Sequence, residues 1–197
     1  MKRTFDIILS LFGLILLSPL FLIVSLAIVL DSPGGVFYRQ VRVGQHNRDF
    51  RIFKFRSMFT DADRRGLITI GERDPRVTRV GYYIRKYKLD ELPQLLNVLI
   101  GDMSFVGPRP EVRKYVNLYS PEQLHVLDIR PGITDAASIK YHNENSLLAA
   151  QNNPDQYYLQ VVMPDKLNIN LDYVHNHNII GDIQLIWNTF MLLFADK

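Results

Sequence analysis

Residues 7–30 read IILSLFGLILLSPLFLIVSLAIVL, an uncharged run of 24 residues bounded by Asp6 and Asp31. As one straight helix it would be about 36 Å long, enough for a bilayer core of about 30 Å. A secretory leader has an apolar stretch of about 7–15 residues followed by a small-residue cleavage site. This run is longer and ends Leu30-Asp31-Ser32-Pro33-Gly34-Gly35, so a leader is not the expectation. Ser18-Pro19 stands at the middle, with eleven residues on each side, 7–17 and 20–30. Proline removes a backbone donor and clashes with the preceding turn, so a break is expected there. Ser18 can help satisfy the freed backbone inside lipid. Two arrangements remain: a kinked helix that crosses, or a helix–break–helix hairpin that enters and leaves on one face. Lys2 and Arg3 precede the run, and Arg39, Arg42, Arg48, Arg51, Lys54 and Arg56 follow it. Basic flanks on both sides draw both ends to the cytoplasm, a condition the hairpin meets. In either arrangement the heavier flank places residues 32–197 in the cytoplasm.

The composition narrows the classes further. Of 197 residues, 47% are hydrophobic and 22% charged, an ordinary globular balance. The absence of cysteine removes disulfide scaffolds, thiol nucleophiles and Cys-ligated zinc or iron–sulfur sites. The net charge of +3 is unevenly spread. Residues 1–60 carry eight Lys/Arg against three acids, residues 61–135 twelve against eleven, and residues 136–197 three against six. Positive charge thus accompanies the apolar run, which points to an anionic membrane surface and away from nucleic acid.

Downstream, 36–43 and 50–56 are rich in aromatic and β-branched residues, with Gly44-Gln45-His46-Asn47 between them, the pattern of a β-hairpin. Residues 61–75, with Gly66, Gly71 and Asp74-Pro75, read as a loop. A short helix is expected over 82–88. A second is expected over 91–100, with Leu92, Leu95, Leu96 and Leu99 at helical spacing and Gly101 closing it. Ser120-Pro121-Glu122-Gln123 is a helix start with a capping box, and 146–160 and 164–176 read as helical. From Asp182 the segment IQLIWNTFMLLF is apolar nearly all round, either a core helix or one lying in the membrane interface.

The common nucleotide and hydrolase motifs, G-x-x-x-x-G-K-S/T, G-x-G-x-x-G and G-x-S-x-G, are absent. The five histidines form no ligand pattern. Chemistry concentrates instead in YYIRKYKLDELPQLLNVLIGDMSFVGPRP, residues 82–110. Arg85, Lys86 and Lys88 are followed at once by Asp90 and Glu91 at the start of the expected helix. Taken alone, Asp90 and Glu91 serve as a helix cap and a dipole complement. The flanking cations, however, would hold both carboxylates ionised and attract phosphate. Neighbouring helical residues point about 100° apart, so one acid can attack phosphorus while the other holds a divalent cation. Carboxylate oxygens suit Mg²⁺, which shares its ligand shell with substrate phosphates and water. In Gly107-Pro108-Arg109-Pro110 the arginine is preset by the prolines for bidentate phosphate recognition, or simply marks a rigid corner. Arg76 and Arg79 upstream, Lys54 in the hairpin and Arg130 in Arg130-Pro131-Gly132-Ile133-Thr134 add further candidate phosphate-binding cations.

These pieces together resemble a family. KRTFDI at 2–7 with Ser18-Pro19, KFRSM at 54–58, residues 74–110 and RPGIT at 130–134 resemble, in order, the bacterial sugar transferases, small monotopic phosphoglycosyl transferases acting on polyprenol phosphate. The resemblance spans about two-thirds of the chain. It implies an α+β, mostly helical fold. A re-entrant membrane helix hairpin would occupy residues 1–35, broken at Ser18 and Pro19. A compact cytoplasmic, membrane-associated catalytic domain would occupy 36–197, with a short β-hairpin and interfacial helices. It also implies an Asp90–Glu91 catalytic dyad, Mg²⁺ (or Mn²⁺) held at Glu91, and a nucleoside-diphosphate sugar donor, usually a UDP-sugar. In that scheme Asp90 takes the sugar phosphate covalently and passes it to polyprenol phosphate, with Arg85 and Arg109 neutralising phosphate charge. The implied location is the bacterial inner membrane, facing the cytoplasm. Membrane lipids are the expected partners, and the oligomeric state, a homodimer included, stays open. The chain departs from the family after RPGIT, where Asp135-Ala136 stands in place of the common Gly-Trp. Sugar recognition is therefore expected to vary in 136–197. A Mg²⁺-dependent membrane-anchored phosphohydrolase and a non-catalytic anchor binding anionic lipid through 39–56 are the competing classes.

Overall fold

The computed structural model describes residues 2–60, 62 and 74–195. The apolar run folds as two helices, α1 (Lys2–Leu16) and α2 (Ser18–Asp31), bent by 61° at Leu17. The break has a local cause. Pro19 lacks the N–H that would bond the Ile15 carbonyl, and the Ser18 hydroxyl donates to that carbonyl instead, at 2.8 Å. Among the described residues no single helix is long and apolar enough to cross a membrane, whereas this bent pair meets the length and composition together.

Both ends of the pair dock on the same body. Near the start of α1, Lys2 binds Tyr173 and Asp182. Arg3 donates to the carbonyls of Val98 (2.5 Å) and Leu99 (2.8 Å). Buried Asp6 accepts from the Ser104 hydroxyl at 3.1 Å and the Phe105 amide at 3.2 Å. At the end of α2, Asp31 accepts the Val80 amide at 2.9 Å, and buried Arg56 donates to the carbonyls of Pro33 and Ser32. In sequence Lys2, Arg3 and Arg56 read as basic flanks of the apolar run. In the fold they hold the helix pair to the rest of the chain through backbone carbonyls and the buried Asp182.

The β-hairpin forms as expected, from β1 (Phe37–Val43) and β2 (Asp49–Phe55), antiparallel with Phe37 opposite Phe55 and Val43 opposite Asp49. Phe55 joins Val24 and Ile28 of α2 and Ile84 in one cluster. The expected loop over 61–75 lies mostly outside the described residues. α3 (Arg79–Lys86), capped by Thr78, begins three residues before its expected start. The expected helix over 91–100 is shorter than its leucine spacing predicts. α4 covers Gln94–Ile100, and Asp90 and Glu91 lie on a preceding 3-10 turn, Leu89–Glu91. Lys88 starts that turn in the left-handed region, with φ of 55°, which swings the two acids out of line with both helices.

A parallel pair of three-residue strands follows, β3 (Ser104–Val106) and β4 (Gly132–Thr134), which the sequence pattern did not announce. The strands approach so closely at Gly107 and Gly132 that a Cβ on Gly132 would stand 2.1 Å from the Gly107 nitrogen. Glycine is required there by backbone proximity. α5 (Arg113–Val116) lies between these strands, with a 3-10 turn over Gln123–Leu127. The Ser120–Gln123 capping box forms reciprocally, at 2.9 and 3.2 Å, but opens this 3-10 turn and not an α-helix.

The C-terminal part is helical: α6 (Ala136–Lys140), α7 (Glu144–Ala149), α8 (Pro154–Tyr157), a π-helical turn (Tyr158–Val162) and α9 (Met163–Asn176). Pro164 cannot donate to a carbonyl one turn back, which accounts for the wider π turn before it. Tyr115, Val126, Leu148, Tyr158, Val162 and Leu167 form the core of this part. α10 (Ile179–Ala195) starts three residues ahead of Asp182, which is buried inside it. Ile180 (80% exposed), Ile183, Trp187 and Phe190 face outward, so α10 is not a core helix.

Candidate active site

Asp90 and Glu91 open onto a cleft of about 1530 Å³, whose walls include Lys54, Arg76, Arg85 and Arg109. Its apolar lining includes Leu9, Phe12, Leu16 and Leu17 of the bent helix pair and Ile186 and Leu192 of α10. Its polar lining includes Glu111, Ser138, Glu144, Tyr158 and Lys166.

The acids have different surroundings. Glu91 accepts from Lys54 Nζ at 3.0 Å, and Arg109 grips it with both terminal nitrogens, Nη1 at 3.3 Å from Oε2 and Nη2 on Oε1. Burial alone would raise the Glu91 pKa, but the charges and hydrogen bonds of Arg109 and Lys54 hold it well below the usual carboxylate range. Asp90 is 9% exposed. Burial, and next the Glu91 charge, push its pKa up, against the opposing pull of Lys54, Arg85 and Lys88. The pair therefore combines a fixed anion with a carboxylate kept less comfortable in its ionised form. No side-chain cap bond runs from Asp90 to either neighbouring helical segment, so the capping role considered from sequence is not the one adopted.

Arg109 is set by more than its flanking prolines. Its backbone N–H donates to Asp135 Oδ2 at 2.9 Å. Asp135 is fully buried and also caps α6, accepting the Ser138 amide at 2.5 Å and the Ser138 hydroxyl at 3.1 Å. Two expected cations lie elsewhere. Arg79 is exposed at the first turn of α3, and Arg130 Nε donates to the Gly101 carbonyl at 2.9 Å; neither lines the cleft. Arg130 is used to close the end of α4, where helix carbonyls lack partners. Arg76 does line the cleft while paired with Asp74 at 2.6 Å. Sequence reasoning placed Arg42 on the lipid-facing flank. It turns instead to the cleft, 3.6 Å from Glu111.

Among the described residues no three His, Cys, Asp or Glu side chains cluster as a self-sufficient metal site. The donor set is the two adjacent carboxylates, with the 3.3 Å contact leaving Glu91 Oε2 room to accept more. That set fits a Mg²⁺ ion whose remaining ligands are diphosphate oxygens and water.

Fold and site define a protein with a buried acid pair and a cation cluster in one cleft, walled in part by a bent apolar helix pair. The family model described as bacterial sugar transferase matches residues 1–196, and the chain belongs to that family. It is 39% identical over 196 residues to the exopolysaccharide production protein PSS of Rhizobium leguminosarum bv. phaseoli, covering 96% of this chain and 92% of the relative. It is 47% identical over 141 residues to the UDP-N-acetylgalactosamine-undecaprenyl-phosphate N-acetylgalactosaminephosphotransferase of Aeromonas hydrophila, covering 70% of this chain and 33% of the relative. Against the UDP-glucose:undecaprenyl-phosphate glucose-1-phosphate transferase of Escherichia coli K12, identity is 34% over 202 residues, or 41% of the relative's length. The chain thus matches nearly the whole of the first relative and less than half of the other two.

Proposed function

We propose that this protein transfers a sugar 1-phosphate from a nucleoside-diphosphate sugar, a UDP-sugar, to polyprenol phosphate at the cytoplasmic face of a bacterial inner membrane, as a first membrane step of polysaccharide assembly. The relatives' names, which print undecaprenyl phosphate and two UDP-sugars, support the substrate classes. The observation that carries the reading is the buried Asp90 beside the Glu91–Arg109–Lys54 ion network in a cleft lined by both apolar helices and polar side chains.

In this reading Asp90 attacks the sugar-linked phosphorus. An oxygen–phosphorus bond forms at the carboxylate, the bond to the bridging diphosphate oxygen breaks, and UMP leaves. A polyprenol phosphate oxygen then attacks the same phosphorus, and the acyl phosphate bond breaks to return Asp90 and release polyprenyl-diphospho-sugar. Arg109 and Arg85 balance the charge on the transferring group, and Lys54 keeps Glu91 anionic and oriented. Glu91, with Asp90 beside it, would hold Mg²⁺, which when bound neutralises diphosphate charge. Lys54, Arg85 and Lys88 favour the ionised, nucleophilic form of Asp90 against burial and the Glu91 charge.

Residues 1–35 act as a re-entrant hairpin and 36–197 as the catalytic part. The docking of both hairpin ends on one body supports this, since ends held together belong on one membrane face. The apolar lining of the cleft then receives the acceptor's lipid, and α10 lies in the interface through Ile180, Ile183, Trp187 and Phe190. A purely anchoring role is disfavoured by Arg42, Lys54 and Arg56, which turn to the cleft or to α2 and not outward. The test is a panel of UDP-sugars with a short polyprenol phosphate, reading UMP. Release that depends on acceptor supports transfer; equal release without acceptor indicates a phosphohydrolase.

A further inference from the structure

The proposed transfer leaves one wall of the cleft unused. Beyond Arg109 and Pro110, Glu111 accepts the Tyr158 hydroxyl at 2.5 Å and lies 3.6 Å from Arg42. Arg42 also donates to the Pro110 carbonyl at 3.3 Å and to Gln40 Oε1 at 2.7 Å. Next along the same wall, Lys166 pairs with Glu144 at 2.8 Å and lies over the Tyr158 ring, 5.8 Å from its centroid. Arg42, Glu111, Tyr158, Glu144 and Lys166 all line the cleft.

The position and chemistry of this wall limit what it can take. Glu111 follows Arg109 by two residues, so their Cα atoms are at most about 7 Å apart. The Glu111 charge acts on the Arg109 guanidinium and the Arg109 charge on Arg42, so this wall adjoins a phosphate held at Arg109. The wall's charges are already balanced in pairs, and its carboxylates repel a phosphate. They are strong acceptors for hydroxyl and amide N–H groups, while Arg42 and Lys166 donate. Each carboxylate keeps acceptor capacity beyond the partner it holds here, so a ligand lacking the hydroxyl or amide N–H that would fill it leaves a buried acceptor unpaired and is discriminated against. Tyr158 gains its position from the π turn that it opens, an irregularity often found at functional sites.

Resting on the transfer reading above, we propose that the Arg42–Glu111–Tyr158 network, continued by Glu144–Lys166, is the donor-sugar recognition wall and determines which nucleotide sugar is used.

The test compares wild type with Glu111→Gln and Glu144→Gln. It measures kcat/KM for UDP-glucose, UDP-galactose, UDP-N-acetylglucosamine and UDP-N-acetylgalactosamine with one short polyprenol phosphate, inhibition by UDP, and thermal melting. At least one variant is expected to change the ratio of kcat/KM between two donors by tenfold or more, with UDP inhibition within threefold of wild type. Equal loss on every donor in the folded variants would make the wall structural and overturn the proposal. Parallel weakening of UDP inhibition would assign it to the nucleoside and overturn it too. If Glu111→Gln fails to fold, Glu144→Gln decides on the same criteria. Lack of wild-type turnover on all four donors, with UDP still binding, removes the transfer reading itself and this inference with it.

Discussion

The Asp135 carboxylate holds the backbone of Arg109, accepting its N–H at 2.9 Å from inside the protein. The same carboxylate caps α6, so the arginine that grips Glu91 is tied to the start of the C-terminal helical part. Asp135→Ala is expected to lower kcat about 10- to 100-fold, since a misplacement near 1 Å can cost about 10² in rate. Loss of the cap would also cost about 1 kcal/mol of stability. Asp135→Asn keeps one acceptor and should fall between. Steady-state kinetics beside melting curves check this; an unchanged kcat with a lowered melting temperature would leave Asp135 as a cap and nothing more.

The two acids should move stability in opposite directions. Asp90, its pKa raised, gives the fold an advantage below its unfolded pKa that is lost as pH rises through the folded value. At pH 7 Asp90→Asn should therefore melt above wild type, by roughly 2–4 °C for each kcal/mol recovered. Glu91, its pKa lowered, contributes stability above its unfolded pKa that is lost as pH falls through the folded value. Glu91→Gln should melt below wild type at pH 7, and the gap should close under acid. Melting curves from pH 3 to 8 measure both; identical shifts for the two variants would contradict the assigned surroundings.

Activity should need Mg²⁺ or Mn²⁺ and disappear in excess chelator. Glu91→Gln should lose about 10²-fold or more, as it removes an anionic oxygen while keeping the shape. Arg109→Lys should lose at least about tenfold, because a point charge cannot reproduce the two-nitrogen grip on Glu91. UMP release assayed with and without chelator is the check, and full turnover in chelator would end the metal assignment.

The hairpin predicts that tags at residues 1 and 197 are both shielded from periplasmic reagents in intact cells. Replacing Ser18 and Pro19 by leucine restores an unbroken apolar run of 24 residues between Asp6 and Asp31 and should favour crossing. Accessibility labelling measures both, and a periplasmic residue 1 in the unaltered protein would contradict the hairpin.

Much of this was legible in sequence where the cause is local. The charge-free run with Ser18-Pro19, the alternating strands around Gly44 and the Asp90-Glu91 pair between cations all announce themselves within a few residues. Long-range partnerships did not. Lys2 and Asp182 are 180 residues apart, and nothing in either neighbourhood marks Lys2 as a clamp beyond its place in the basic flank. The β3–β4 pair has three residues per strand, too short for a period, and rests on backbone approach at Gly107 and Gly132. The left-handed Lys88 that moves the acids off the helix is not written in its residue type, since lysine rarely adopts that conformation. Arg42 read as one basic residue among many until the fold set it beside Glu111.

The central claim is that Asp90 carries the sugar phosphate. It predicts ping-pong kinetics, and protein-bound label when donor carrying a radiolabelled sugar-linked phosphate is mixed with enzyme and no acceptor. Acid-quenched, digested protein should show the label on the peptide containing Asp90. Adding polyprenol phosphate should discharge it. Asp90→Asn, with its size kept, should be folded, unlabelled and at background turnover. Retained turnover by folded Asp90→Asn, or label on another residue, would contradict the account.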